Sequence, residues 1–300
     1  MPAAELDVAA DLVRRLLAEQ QPDLARLPVT PLANGWDNTL FRLGEGLVAR
    51  LPRRAIAAAI VLNEQRWLPV IAPRLPLPVP VPVRTGVPGA GYPWAWSIVR
   101  YLPGTPAADG PPLDPAEAAR ALGAFFGALH APAPRDAPAN PFRGRPLAER
   151  AENFRKNLDM VEGQVDRAGA AAIWADALAA APYGGPPVWL HGDPHPANIL
   201  VSGGLVSGVL DFGDITAGDP AADLSIAWML LPREYHSAFR AAYRHTVTKP
   251  LDDALWRRAR GWAVGLGVMF LAWSADNPQL RAVGRRTVDA VLSEPFGGSG

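Results

Sequence analysis

In the segment Trp189-Leu190-His191-Gly192-Asp193-Pro194-His195-Pro196-Ala197-Asn198-Ile199-Leu200, an aspartate is followed five positions later by an asparagine. Past an apolar run, Val209-Leu210-Asp211-Phe212-Gly213-Asp214 supplies a second aspartate. Phosphoryl transfer calls for one carboxylate that orients an attacking hydroxyl and two oxygen ligands that hold Mg²⁺ against a triphosphate, and this spacing delivers all three. Asp193 takes the place of the base, and Asn198 and Asp211 those of the metal ligands, an amide oxygen and a carboxylate being hard donors suited to that ion. Gly192 and Pro194 put Asp193 on a rigid loop leaving the apolar strand Val188-Trp189-Leu190. An aspartate before proline is also a common turn residue, but the register with Asn198 and Asp211 favours chemistry. His191 and His195 lie four apart, yet Pro194 and Pro196 preclude the helix that would make them a zinc pair. Asp214 either caps the helix that follows or contacts a second metal or the acceptor.

The elements that must hold these residues are legible in outline. Three hundred residues, 49% hydrophobic and 19% charged, make an ordinary globular chain long enough for two lobes. Lys and Arg total 29 and so do Asp and Glu, so no net field favours nucleic acid or a membrane surface. The chain has no cysteine, which excludes disulfides, thiolate metal sites and cysteine nucleophiles. Met1 to Gln20 reads as an amphipathic helix with a Val8/Leu12/Val13/Leu16/Leu17 stripe and lacks a signal peptide's unbroken apolar core, which makes the cytoplasm the expected location. The apolar run Trp262 to Trp273 is too short for a membrane span of about twenty residues.

Leu40 to Leu43, Leu47 to Leu51 and Ser97 to Tyr101 read as strands, with helical composition over Ala55 to Leu68. Prolines at 73, 76, 78, 80 and 82 impose an extended connector whose alternate leucines and valines look half-buried, an SH3-type ligand being the lesser alternative. Beyond Gly104 the character turns helical, over Asp114 to His130, Leu147 to Ala168, Ala170 to Ala181, Ala221 to Leu230, Glu234 to His245, Leu251 to Trp273 and Leu280 to Leu292. Asp219 and Asp223, with Pro220 at a first-turn position, look like a helix start. The expectation is an α+β chain of two lobes, a strand-rich N-terminal lobe over residues 1 to 104 and a helical C-terminal lobe over 105 to 300.

With these motifs in place, the chain resembles the aminoglycoside phosphotransferase-like kinases, a family that includes macrolide and choline kinases. The resemblance runs from Gly35-Trp36-Asp37-Asn38 through Asn63-Glu64, the proline-rich Leu75 to Pro80 and the two motifs above to Gly218-Asp219-Pro220-Ala221-Ala222-Asp223-Leu224, and is nearest in look to aminoglycoside 2''-phosphotransferases. It implies a protein-kinase-like bilobal fold, Mg²⁺, ATP or GTP as phosphate donor, and a small-molecule acceptor phosphorylated on a hydroxyl. It implies that His191 packs to fix the catalytic loop and that Asp223 anchors the loop's backbone. His195 stays open between loop scaffold and a phosphate or acceptor contact. The hinge alignment at Leu102-Pro103-Gly104 suggests the Arg100 carbonyl and the Leu102 amide for the base, since Pro103 has no N–H.

The departures are informative. Protein kinases hold the α/β-phosphates with a strand lysine, but Lys156 and Lys249 are the only lysines and neither lies in the first lobe. Arg50, on the same strand face as Val48, takes that place if anything does, with Glu64 as its partner, and the change keeps a catalytically weak pseudokinase as an alternative. The phosphate loop over Ala33 to Asn38, with Gly35 and Asn38, has a single glycine, and no Walker GxxxxGK[ST] occurs anywhere. A protein kinase is the other alternative, but Gly192 stands where that family carries its arginine, and no activation loop separates Asp211 from Asp223. Around the acceptor, Trp228 and Glu234 are candidates, and the stretch Ala227 to Glu234 holds one acid, which weakens the case for a polycationic aminoglycoside and leaves other antibiotics or metabolites open. Nothing in the sequence separates monomer from dimer.

Overall fold

The computed structural model describes residues 4–247 and 251–295, so Met1 to Ala3 and Lys249 lie outside the described residues. The fold is mixed α+β of the protein-kinase-like kind, and the chain divides into two compact units, one of residues 1–73 and 78–102, the other of 74–77 and 103–300.

The first unit is built on a five-stranded antiparallel sheet in the order β1-β2-β3-β5-β4. Its strands are β1 (Val29–Asn34), β2 (Asn38–Leu43), β3 (Leu47–Pro52), β4 (Pro82–Gly86) and β5 (Trp96–Arg100). Helix α1 (Ala10–Gln20) lays the Leu12/Val13/Leu16/Leu17 stripe into a core completed by Phe41, Leu43, Ala49, Leu51, Trp96 and Ile98. Burial of each such side chain contributes about 1.5–3 kcal/mol, which is why an amphipathic stripe suffices to fix the helix on the sheet. Helix α2 (Ala55–Ile71) is fastened to β5 by Gln65, whose Nε2 donates to Trp96 O at 2.9 Å and Ser97 Oγ at 3.1 Å. It runs past Leu68 and takes Pro69 into its last turn. Strands β1 and β4 were not expected, and each carries a proline, Pro31 and Pro82, where the register shifts. In the proline run, Leu75 and Leu77 are half-buried and Val79 is buried while Pro76 and Pro78 face solvent.

The second unit is mainly helical: α3 (Pro115–Leu129), α4 (Ala151–Met160), α5 (Arg167–Ala179), α6 (Ala221–Leu224), α7 (Ile226–Leu230), α8 (His236–Thr246), α9 (Leu255–Trp273) and α10 (Pro278–Ser293). One long helix was expected over Leu147 to Ala168. Instead a 3-10 turn at Leu147–Arg150 leads into α4, the chain turns at Gly163 (φ 74°), and Asp166 caps α5 by accepting from Gly169 N at 3.0 Å. Helix α9 is buried along most of its length and forms the spine of the unit. Among the described residues no helix is long and apolar enough to cross a membrane.

Two small sheets in this unit hold the motifs. Strand β7 (Val188–Leu190) pairs with β10 (Thr216–Gly218), and β6 (Thr105–Pro106), β8 (Ile199–Ser202) and β9 (Leu205–Val209) form a three-stranded sheet. The loop before Leu147 crosses β10 backbone to backbone. Gly144 has φ 67° and a Cβ there would meet Ala217 O at 2.5 Å, while a Cβ on Gly218 would overlap Gly144 O. Both positions therefore exclude a side chain. Gly218→Ala is expected to lower the unfolding free energy by about 1–3 kcal/mol through overpacking. A urea midpoint equal to wild type would show that this close approach carries no energetic weight.

Candidate active site

The loop after β7 is held from three sides. Gly192 has φ 90°, and a Cβ there would overlap the carbonyl of Asp214, so the loop passes only as glycine. The fully buried carboxylate of Asp223 accepts from His191 N at 2.7 Å and Gly192 N at 3.0 Å, and its Oδ2 lies 3.2 Å from His130 Nε2. His130 Nδ1 in turn lies 2.9 Å from the Tyr243 hydroxyl, which ties the end of α3 to α8. The His191 ring donates from Nε2 to Leu210 O at 2.8 Å and accepts at Nδ1 from Asp193 N at 3.2 Å, which fixes its tautomer. Its face rests on Phe212 with ring centroids 4.6 Å apart. His191 thus joins the Asp193 loop to the segment that carries Asp211.

Asn198 sits in a 3-10 turn, Pro196–Asn198. Its Nδ2 donates to Asp193 O at 3.1 Å, and its carbonyl accepts from Leu210 N at 2.8 Å, which brings Asn198 beside the residue preceding Asp211. Asp211 has φ 60°, uncommon for a residue with a side chain, and its Oδ1 accepts from Gly213 N at 3.3 Å. Among the described residues no group of three or more His, Asp or Glu could hold a metal ion. With the Asn198 NH₂ engaged, its Oδ1 is left as a ligand atom, and one amide oxygen plus one exposed carboxylate fits Mg²⁺, which keeps several waters and is completed by substrate phosphates.

Asp193 has a partner that the sequence did not announce. Arg143 Nη2 donates to Asp193 Oδ1 at 2.6 Å and its Nε lies 3.8 Å from Asp214 Oδ2, with only 10% of the side chain exposed. Asn140 shapes this loop, since its Oδ1 accepts from Phe142 N at 2.8 Å and Arg143 N at 3.0 Å and its Nδ2 donates to Asp214 Oδ1 at 2.6 Å. Burial pushes the Asp193 carboxyl up, but the charges of Arg143 and His195 outweigh it and hold the group well below the usual carboxylate range. Asp214 moves the other way, pushed up by burial and by the charge of Asp193. Asp214 is thus engaged by Asn140 and Arg143, and no side-chain bond caps a helix with it.

His195 Nε2 lies 3.5 Å from Asp193 Oδ2 and 3.4 Å from Asn198 Nδ2, its Nδ1 is buried without a hydrogen-bond partner, and its ring stands edge-on to Phe270. Trp228 is buried at 2% exposure and its indole donates to Glu294 Oε2 at 2.6 Å, so its polar handle is spent inside the helical unit. Glu234 is exposed in a 3-10 turn, Arg233–Tyr235. In the first unit Arg50 Nη1 lies 3.0 Å from Glu64 Oε1, both buried, with Arg50 on β3 between β2 and β5. Gly35 N donates to Asn38 O at 2.8 Å, closing the β1–β2 turn, and Asn38 Oδ1 is buried without a partner. Arg100 is exposed at the end of β5 and Leu102 is half-buried.

Removing the Arg143 cation takes away the strongest of the charges that oppose burial at Asp193, so its carboxyl rises. Arg143→Ala is therefore expected to move the acidic limb of a kcat/KM against pH profile upward by about 1–3 units, with the largest loss of activity at low pH, while Arg143→Lys moves it less. A limb that stays in place in the alanine variant would remove Arg143 from control of Asp193.

A model of the phosphotransferase enzyme family matches residues 28–262. No curated protein sequence matches the chain. Among solved structures, the GDP and kanamycin complex of APH(2'')-IIIa is 20% identical with a TM-score of 0.68, covering 95% of this chain and 99% of that one. The ternary complex of APH(2'')-IIa with streptomycin and ATP is 16% identical with a TM-score of 0.59, covering 93% and 95%. The macrolide 2'-phosphotransferase of Brachybacterium faecium, solved as apoenzyme, is 25% identical with a TM-score of 0.63, covering 95% and 98%. A family match spanning both units, joined to a kinase-like fold and an Asp193 loop braced from inside the helical unit, establishes that the chain belongs to the phosphotransferase enzyme family.

Proposed function

We propose that the protein is a cytoplasmic, Mg²⁺-dependent kinase that transfers the γ-phosphoryl group of ATP or GTP to a hydroxyl of a small molecule. The observation that carries the proposal is the grouping of Asp193, Asn198 and Asp211 by the hydrogen bonds that join Asn198 to Asp193 and to Leu210. Support also comes from relatives that bind GDP or ATP together with kanamycin or streptomycin.

In this reaction the acceptor oxygen bonds to the γ-phosphorus while the bond to the β–γ bridging oxygen breaks. The hydroxyl proton passes to Asp193, and the nucleoside diphosphate leaves. A carboxyl held as acidic as Asp193 is a weak base, so its contribution is chiefly to orient the hydroxyl, with proton uptake completed as the new O–P bond forms. Asn198 and Asp211 would hold Mg²⁺, which would supply neutralisation of the charge that develops on the phosphates. On the nucleotide side, Arg50 grips the α/β-phosphates with Glu64 as its partner, the turn Gly35 to Asn38 lies against the phosphates, and the Arg100 carbonyl and Leu102 amide meet the nucleotide's purine. Residues 1–104 thus serve the nucleotide and 105–300 carry the base, the metal ligands and the acceptor.

Asp193→Ala is expected to bind Mg-nucleotide nearly as wild type yet lose about 10²-fold or more in kcat. Retention of more than half of the wild-type kcat on a genuine acceptor would remove Asp193 from its role. Asp211→Asn keeps the shape and removes the charge, so nucleotide titrations with and without Mg²⁺ should lose most of the metal dependence seen in wild type. An undiminished dependence would assign the ion to other residues.

A further inference from the structure

The segment that carries Arg143 is neither helix nor strand, yet it is pinned at both ends. Thr216 on β10 donates through Oγ1 to Pro138 O at 2.8 Å, and Gly144 lies against the backbone of Gly218 on the same strand. Between these points the half-buried Asn140 side chain holds the segment. Its Oδ1 accepts from Phe142 N at 2.8 Å and Arg143 N at 3.0 Å, and its Nδ2 donates to Asp214 Oδ1 at 2.6 Å. One amide thus ties the backbone of Arg143 to a carboxylate on the far side of the site.

The consequence reaches Asp193. With Asp214 Oδ1 taken by Asn140, Asp214 Oδ2 faces Arg143 Nε at 3.8 Å, and Arg143 Nη2 donates to Asp193 Oδ1 at 2.6 Å. A guanidinium is a rigid planar fork, so fixing its backbone and its Nε edge fixes where Nη2 points. Asp193 is left with one oxygen to offer. Its Oδ2 has His195 Nε2 at 3.5 Å, beyond the range of a good hydrogen bond, and 28% of the side chain is exposed.

We infer that Asn140 is a positioning residue for phosphoryl transfer: through Asp214 and Arg143 it keeps Oδ1 of Asp193 occupied and presents Oδ2 to the acceptor hydroxyl. The hydroxyl proton passes to Oδ2 as the acceptor oxygen bonds to the γ-phosphorus and the bond to the β–γ bridging oxygen breaks. Asn140 touches none of the reacting atoms. Its effect is on geometry, and a misplacement of about 1 Å at a reacting centre can cost about 10²-fold in rate. The inference rests on the phosphotransferase reading of the Asp193 loop and adds the residue that aims its carboxylate.

An amide and a carboxylate share a shape, which separates the two tasks of Asn140. Asn140→Asp keeps an oxygen for the Phe142 and Arg143 amides but sets a carboxylate against Asp214 where a donor stood. Assayed on the alkaline side of neutrality, where both carboxyls are ionised, it should lower kcat about tenfold or more and leave the nucleotide KM near wild type. Adding Asp214→Asn exchanges donor and acceptor across the same contact with the net charge unchanged, and should recover most of the lost kcat. Turnover is read as hydrolysis of Mg-ATP and Mg-GTP, with water as the acceptor, and as phosphate transfer to kanamycin. The inference is overturned by a kcat within about twofold of wild type in Asn140→Asp, a nucleotide KM that rises as far as kcat falls, or a double variant no faster than the single one. A crystal structure of Asn140→Asp with Arg143 still on Asp193 Oδ1 would overturn it as well. If Asn140→Asp does not fold, Asn140→Ser takes its place, since its hydroxyl accepts from the same amides and is too short to reach Asp214. No turnover by wild type in any assay would count against the phosphotransferase reading, and the crystal structure would still decide the role of Asn140.

Discussion

The buried carboxylate of Asp223 is the interaction on which the rest of the site depends. It receives the amides of His191 and Gly192 and the ring of His130, and no part of it reaches solvent. A carboxylate in such a place is tolerable only because its oxygens are engaged by donors, and that same requirement dictates where the donors must be. The backbone entering Asp193 is therefore set by a helix start more than thirty residues downstream, and His130 and Tyr243 extend the bracing to α3 and α8. Gly192 completes the arrangement, because any side chain there would drive the loop off Asp214.

Around this frame the charges are arranged in opposition. Arg143 stands between Asp193 and Asp214, and the two carboxyls move in opposite directions from their ordinary values, Asp193 down and Asp214 up. Neighbouring carboxyls pushed apart in this way commonly divide acid and base duties. Here the division keeps Asp193 ionised and leaves Asp214 the group more readily protonated. The cost is a buried guanidinium beside Asp193.

The Arg50–Glu64 pair poses a different energetic question. Both partners are buried, and desolvation of two charges often equals or exceeds their mutual attraction, so the pair is poor evidence of a stabilising device. It holds a guanidinium in one orientation on the middle of a rigid sheet, with α2 fastened to β5 by Gln65 nearby. That placement supports the phosphate grip proposed for Arg50, a role that protein kinases give to a strand lysine.

Much of this was legible in the residues alone. The apolar runs around Leu40, Val48 and Ile98, the stripe of α1 and the long apolar character of α9 report burial, because a strand or helix rich in apolar side chains must take them out of water. The spacing of Asp193, Asn198 and Asp211 was equally plain, and the structure brings the three segments together through the Asn198 bonds to Asp193 and Leu210. Strands β1, β4 and β8 to β10 were hidden by their shortness or by prolines, and Met160 to Asp166 by a turn that helical composition does not reveal. Arg143 was invisible for a different reason. An Asn140-Pro141 turn with Gly144 announces a loop, but that its guanidinium meets a carboxylate fifty residues away follows from the backbone of Gly144 crossing that of Gly218. Local sequence determined the elements and the candidate reacting groups, because both depend on neighbours along the chain. Tertiary structure alone decided the charge beside Asp193, because that depends on which distant segments pack together.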